Sequence, residues 1–459
     1  MSDQNHVELA SLADSDDYQV ESDHDDSGHV TQTLLGNNPA LAEVTSESEK
    51  SNMKMAFMNM ANSIIGAGII GQPYAVHESG LIAGILLLVG LTFLIDWTIR
   101  LIVVNAKLSG TDTYQATCRK CFGKTGLIAI SLAQGCFAFG GSIAFCVIIG
   151  DTIPHVLGAL FPSLLGGEDS GPSILVNRQF IIVVCTCLIS YPLALNKNIA
   201  HLAKASALAL VSMLVIVILV IVRGPQLAPE YKGTFDGHAL SISSGLFQGV
   251  SVISFAFVCH HNSLLIYDSL KRPTMDRFAT VTHWSTGVSM VACLAMGVGG
   301  FIIFVDKTKG NVLNNFPASD VMANVARFCF GFNMLTTLPL EIFVCREVFT
   351  TYFWPGDEFR WTRHIVTTTV MMLTAMCVAL ITCNLGVILE LVGATSACVM
   401  AYILPPLCYL KLTKNKSIRQ KAPYYLCAGF GVLVMLFSTI QSLLKIVNGE
   451  EEGSHCDVM

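Results

Sequence analysis

Long stretches without a charged residue constrain the fold of this chain more than any other feature. Residues 81–95, 206–222 and 371–382 carry no charge and lie within apolar windows of about 20 residues, the length that a helix needs to cross a lipid bilayer. Charged residues make up only 13% of the 459 residues, against about 25% in a typical soluble domain. We therefore predict an all-α polytopic membrane protein, surrounded by a lipid bilayer.

Charges and turn signals divide the apolar sequence into eleven predicted spans. Their approximate limits are 53–76, 79–105, 125–150, 177–195, 200–223, 241–266, 279–305, 320–349, 362–383, 385–410 and 424–446. Lys and Arg favour cytosolic loops. A cytosolic N-terminus places seventeen of the 27 basic residues on the cytosolic side and only five in the connections and span ends of the other side. Because eleven is odd, the C-terminus is expected on the opposite side.

The first 50 residues differ sharply from the rest of the chain. They contain twelve acidic residues and one basic residue, Lys50, a composition too polar to form a core. We predict a disordered acidic cytosolic tail over 1–50, a transmembrane domain over 51–447 and a short C-terminal tail over 448–459. The tail accounts for the net charge of −6, and nothing in the charge pattern indicates binding to nucleic acid.

Glycines interrupt the first predicted span. Residues 60–75 read MANSIIGAGIIGQPYA and place Gly66 and Gly68 where they weaken a helix. Small residues can let neighbouring helices approach closely. Alternatively, the helix is broken near the middle of the bilayer, and its free N–H and C=O groups bind a solute. Asn62 and Ser63 favour the second explanation, since backbone without partners at that depth must line a polar cavity.

A second broken helix is expected in the sixth span if the two halves of the chain are inverted repeats. Residues 244–263 read SGLFQGVSVISFAFVCHHNS, with small residues before an aromatic run and polar residues after it. This pattern predicts a helix that loosens around 253–257 and places Ser254, Phe255 and Phe257 beside the solute. A continuous helix with a polar cytosolic end is the alternative.

These motifs resemble the amino acid and auxin permease family. The resemblance rests on NMANSIIGAGIIGQPYA in the first span, SFAFVCHHNSLLIYDSL at 254–270, RFCFGFNMLTTLPLEIFVCREV at 327–348 and LGVILELVGA at 385–394. It is closer to the sodium-coupled neutral amino acid transporters and the fungal vacuolar amino acid transporters. It implies a LeuT-type fold with five-helix repeats over 53–223 and 241–410 and an additional helix over 424–446. It also implies a secondary transporter that works by alternating access.

The resemblance implies where the substrate and the coupling cation bind. Backbone around Gly66, Ala67 and Gly68, with the polar residues of the first span, would hold the carboxylate and the amine of a neutral L-amino acid. Asn62 and Thr337 would contribute oxygen ligands to a Na⁺ site.

A proline lies next to the implied cation site. Pro339 would free the carbonyl of Leu335 to face the ion, because proline removes a helical donor. The neighbouring Thr336 is a further candidate ligand. Hydrogen bonding of Thr336 and Thr337 to their own helix is the alternative.

Two departures from the transporter branch favour H⁺ over Na⁺ and an internal membrane over the cell surface. Glu341 and Arg346 follow Pro339 in place of an arginine–serine segment, and residues 224–240 lack a long glycosylated loop with paired cysteines. Glu390 lies in apolar sequence, and such a residue inside a span is a candidate for reversible protonation. A structural, hydrogen-bonded carboxyl is the alternative. We expect a vacuolar or other endomembrane location, with the plasma membrane as the alternative.

Other functions receive less support from the sequence. No His-Glu-x-x-His, Gly-x-Ser-x-Gly or phosphate-binding loop occurs, so neither an enzyme nor a cofactor beyond the coupling ion is expected. Two broken helices without a filter-like loop disfavour an ion channel. An amino acid sensor that signals through the N-terminal tail is the alternative to a transporter. We expect a monomer.

Overall fold

Helices form every regular element of the computed structural model, which describes residues 52–166, 173–196, 206–235, 242–414 and 417–448. In chain order they are α1 (Met53–Ile65), α2 (Gln72–Ser79), α3 (Leu81–Ser109), α4 (Tyr114–Leu160), α5 (Arg178–Cys185), α6 (Tyr191–Ala194), α7 (Ser206–Arg223), α8 (Leu246–Phe257), α9 (Ser263–Ser269), α10 (Met275–Phe304), α11 (Val321–Phe353), α12 (Trp361–Ile381), α13 (Leu385–Val392), α14 (Leu404–Leu412) and α15 (Ile418–Asn448). The predicted tails, 1–50 and 448–459, lie almost wholly outside the described residues.

Nine helical stretches in the described part of the chain are long and apolar enough to cross a membrane. Helices α5 and α6, joined by the π-helical turn Thr186–Ser190, form a shorter apolar helix over Arg178–Ala194. Large apolar side chains such as Leu86 (67% exposed) and Leu426 (73% exposed) cover the outer surface. A water-soluble protein rarely exposes so much apolar surface. The prediction of a multi-pass helical membrane protein is thereby confirmed.

Helix α4 is longer than the sequence predicted. The sequence predicted a span over 125–150, but the helix runs from Tyr114 to Leu160. Gly123 divides it, with φ 63° and ψ −143°, a conformation that glycine adopts without strain. The segment before Gly123 is polar, and for this reason the apolar window alone did not include it.

Two of the membrane elements are interrupted. Helix α1 ends at Ile65, and the chain continues through the 3₁₀ segment Ala67–Gly71 into α2. Helix α8 ends at Phe257, and the 3₁₀ segment His260–Asn262 connects it to α9. The predicted interruption near 66–68 is confirmed. The predicted loosening over 253–257 is wrong by a few residues, because α8 stays helical through Phe257.

Candidate functional site

The first interruption is centred on Gly66. This residue has φ −3° and ψ −149°, and its N–H donates to the carbonyl of Asn62 at 3.1 Å as the last bond of α1. A new helical segment begins at Ala67. The first N–H groups of a helix lack acceptors within that helix, and in this segment they belong to Ala67 and Gly68. Two of the predicted substrate residues, Ala67 and Gly68, therefore lie at the start of a half-helix.

The second interruption lies against the first. A Cβ atom on Gly68 would overlap the Cα and Cβ atoms of Ala256, so only glycine allows this approach. On the other side of the second break, the Nδ2 atom of Asn262 donates to Ser63 Oγ at 3.4 Å. The start of one half-helix and the C-terminal end of α8 therefore meet, which places a positive helix end beside a negative one.

Three residues of the sixth span were predicted to line the site, and in the structure the three have different surroundings. Ser254 is fully buried, donates to the Val250 carbonyl at 2.6 Å and lies 2.8 Å from the hydroxyl of Tyr402. Phe257 is fully buried in the core. Phe255 belongs to an aromatic group at the break.

That aromatic group includes two residues that sequence reasoning missed. The ring of Phe137 on α4 lies 5.3 Å from the ring of Phe255 and 5.5 Å from that of His261. The Nδ1 atom of His261 is buried and has no hydrogen-bond partner among the described residues. A buried polar atom without a partner beside a broken helix is a candidate contact for a solute. The run of aromatic and His residues in the sequence was the available signal.

His260 is held against α3 by Thr98. Thr98 Oγ1 lies 2.9 Å from His260 Nε2 and 3.1 Å from the carbonyl oxygen of Ile95, and its single proton can be donated to either atom. The Nδ1 atom of His260 is buried and lacks a partner among the described residues.

The residues predicted to hold a cation make helical hydrogen bonds. Thr336 and Thr337 donate to the carbonyl of Asn333 at 2.9 and 2.8 Å, the arrangement that had been the alternative expectation. The carbonyl of Leu335, freed by the proline of α11, accepts a hydrogen bond from Ser190 at 3.1 Å. Asn62 lies on α1, half-buried beside the first break. The Na⁺ site at Asn62 and Thr337 stays a prediction.

Glu390, which lies in apolar sequence, has a cation beside it in the structure. Lys445 Nζ lies 3.3 Å from Glu390 Oε1 and 3.1 Å from Glu78 Oε1. The hydroxyls of Tyr74 and Ser442 donate to the two oxygens of Glu390 at 2.8 and 2.9 Å. We call this group, with Gln248, the Lys445 cluster. It joins α2, α8, α13 and α15, and its members lie up to 371 positions apart in the chain.

Two contacting interruptions inside a bundle of apolar helices define a multi-pass membrane protein with a candidate solute site at the breaks. The family described as "Transmembrane amino acid transporter protein" matches residues 49–444, and the chain belongs to this family. This membership confirms the family resemblance seen in the sequence, and it identifies a transporter rather than an enzyme.

Individual relatives agree with the family assignment. The chain is 46% identical over 425 residues to "Vacuolar amino acid transporter 2" of Saccharomyces cerevisiae, which covers 89% of this chain and 87% of the relative. It is 37% identical over 397 residues to "Putative sodium-coupled neutral amino acid transporter 11" of Danio rerio, which covers 86% of this chain and 87% of the relative. The protein of that name from Homo sapiens is 33% identical over 367 residues, which cover 80% of this chain and 88% of the relative.

Proposed function

We propose that the protein is a secondary active transporter that moves small neutral amino acids across a membrane, with the substrate bound where the two broken helices meet. The contact between Gly68 and Ala256 carries this proposal. It brings the positive N-terminal end of one half-helix next to the negative C-terminal end of another, a pair of fields that suits the carboxylate and the ammonium of a zwitterion.

A neutral side chain fits the chemistry of the proposed contacts. The residues predicted from the sequence to contact the substrate are all uncharged: Asn62, Ser63, Gly66, Ala67, Gly68, Ser254, Phe255 and Phe257. The coupling ion is H⁺ or Na⁺, and the name of the yeast relative supports a vacuolar or other endomembrane location. The N-terminus is cytosolic and the protein acts as a monomer.

The proposed mechanism is alternating access, and it follows from the positions of the two broken helices in the chain. Eleven crossings result when the broken α1–α2 element and the short α5–α6 element are added to the nine long helices. In a LeuT-type inverted repeat, the bundle of α1–α2, α3, α8–α9 and α10 rocks against the remaining helices and exposes the site to each side in turn. Opposed broken helices in the two halves of the chain support this arrangement.

Uptake of labelled neutral L-amino acids into proteoliposomes tests the proposal. Accumulation is expected under an imposed H⁺ or Na⁺ gradient, and failure of both gradients to change uptake would refute coupled transport. Deleting residues 1–49 separates a transporter from a sensor. A transporter without this segment still moves the amino acid, whereas a protein that acts only as a sensor moves none in either form.

A further inference from the structure

The Lys445 cluster contains more carboxylates than ammonium groups. Glu78 and Glu390 share Lys445, whose Nζ atom lies 3.1 Å from the first and 3.3 Å from the second. The Glu390 side chain is 0% exposed and that of Glu78 is 13% exposed. If all three groups were ionised, the cluster would carry one excess negative charge in a region of low dielectric, where an unpaired charge is unfavourable.

We infer that Glu390 binds the transported proton and that Lys445 keeps Glu78 ionised beside it. This inference rests on the proposed function, since it identifies the coupling ion and its residue. With one proton on Glu390, the cluster consists of a neutral acid and a Glu78–Lys445 ion pair, and its net charge is zero. Glu390 takes the proton because it is the more deeply buried carboxylate.

The hydrogen bonds of the cluster suit a proton rather than a metal cation. Na⁺ requires several oxygen ligands with free lone pairs. Here the carboxylate oxygens face donors: the hydroxyls of Tyr74 and Ser442, the ammonium of Lys445 and the amide of Gln248. A proton needs no additional space. The Ser442 hydroxyl, 2.9 Å from Glu390 Oε2, can turn from donor to acceptor when that oxygen is protonated.

Neighbouring groups from each packed element define the surroundings of Glu390. Helix α2 contributes Tyr74, and its His77 lies 3.8 Å from Glu78. With its amide oriented to donate to Glu78 Oε2 at 3.1 Å, Gln248 of α8 also accepts from Lys445 at 3.1 Å. Helix α4 packs Gly140 against Val392, two residues beyond Glu390.

The cluster also links the proton-binding residue to the bundle of helices that is proposed to move. Its members on α2 and α8 belong to the two broken helices that hold the proposed substrate site, while Glu390 and Lys445 belong to α13 and α15. Removing the proton from Glu390 places a second anion next to Lys445, which competes with Glu78 for the ammonium. Occupancy by a proton therefore alters the attraction between the bundle and the helices behind it.

Two transport assays on full-length protein in proteoliposomes test the inference, with a labelled mixture of neutral L-amino acids as probe. Exchange of labelled for unlabelled amino acid at equal pH on both sides needs no net proton movement. Accumulation driven by an imposed pH difference does. We expect Glu390→Gln to retain exchange and to lose pH-driven accumulation down to the level of protein-free liposomes. Glu230→Gln, at an exposed loop carboxylate, serves as the matched control and retains both.

Charge balance makes a second, sharper prediction. Glu78→Gln leaves Glu390 paired with Lys445 and abolishes pH-driven accumulation, whereas the double variant Glu78→Gln with Lys445→Met restores one excess carboxylate and with it the coupling. Coupling retained in Glu390→Gln, or a double variant no better coupled than Glu78→Gln, would overturn the inference. Absence of exchange in the unmodified protein would instead refute the proposed function.

Discussion

Gly68 and Ala256 touch across the two broken helices, and a Cβ atom on Gly68 would overlap both the Cα and the Cβ of Ala256. This contact sets the distance between the two helix ends that form the proposed substrate site. It explains why a glycine occupies a position where glycine weakens the surrounding helix.

Enlarging Gly68 is therefore expected to separate the broken helices. Gly68→Val should abolish amino acid uptake and lower the thermal midpoint in detergent, because the backbone of α8 cannot yield as a flexible side chain would. Gly287→Val in α10 is the control, since a Cβ there has no heavy atom within 4 Å. Normal uptake by Gly68→Val would show that the tight approach is not required.

His261 is expected to contact the substrate through its unpartnered nitrogen. His261→Phe keeps an aromatic ring against Phe137 but removes Nδ1, so KM for the amino acid should rise by about tenfold, the effect of roughly 1.4 kcal/mol. Uptake kinetics measure this, and the thermal midpoint should change little. An unaltered KM would place the histidine outside the substrate site.

Ser190 is expected to stabilise the protein by satisfying the carbonyl of Leu335. Ser190→Ala should lower the free energy of unfolding by about 1–3 kcal/mol, because a buried carbonyl loses its partner. Thermal unfolding in detergent checks the change. Thr374→Val is the comparison, as this exposed hydroxyl bonds only to its own helix, and an equal loss in both variants would contradict the argument.

Asp320 is expected to make stability sensitive to acid. Burial acts to raise the pKa of this carboxyl, but the N–H of Ala323 and the guanidinium of Arg223 outweigh it and lower the pKa. Because the folded-state pKa lies below the unfolded one, the stabilisation is complete above the usual Asp pKa of about 4 and disappears as pH falls through the lowered value.

The thermal midpoint measured between neutral and acidic pH tests this expectation. It should fall at the acidic end, and Asp320→Asn should flatten that part of the curve. If Asp320→Asn lost stability in acid as steeply as the unmodified protein, the acid sensitivity would arise from other carboxylates.

Local signals in the sequence made the first break predictable. Contacts between residues far apart in the chain could not be predicted in this way. Gly66 and Gly68, with polar residues one turn earlier, indicated where α1 would stop. The second break begins only after Phe257, and Ala256, within the predicted loosened segment, is helical and contacts Gly68. The partner of Glu390 is Lys445, 55 positions away, and no local pattern links the two. The hydroxyls of Thr336 and Thr337 found partners within one turn, as the simpler expectation held.

Helix α15 has two very different surroundings. Leu436 and Leu443 are about half exposed on the apolar outer surface, at 52% and 48%, while Lys445 reaches inward to the two carboxylates. Because Glu390 lies on a different helix, α13, we expect tilting of α15 to change the distance from Lys445 to Glu390. We therefore expect a thicker or thinner bilayer, which helices accommodate by tilting, to act on the charge balance of the cluster without touching any residue of the substrate site.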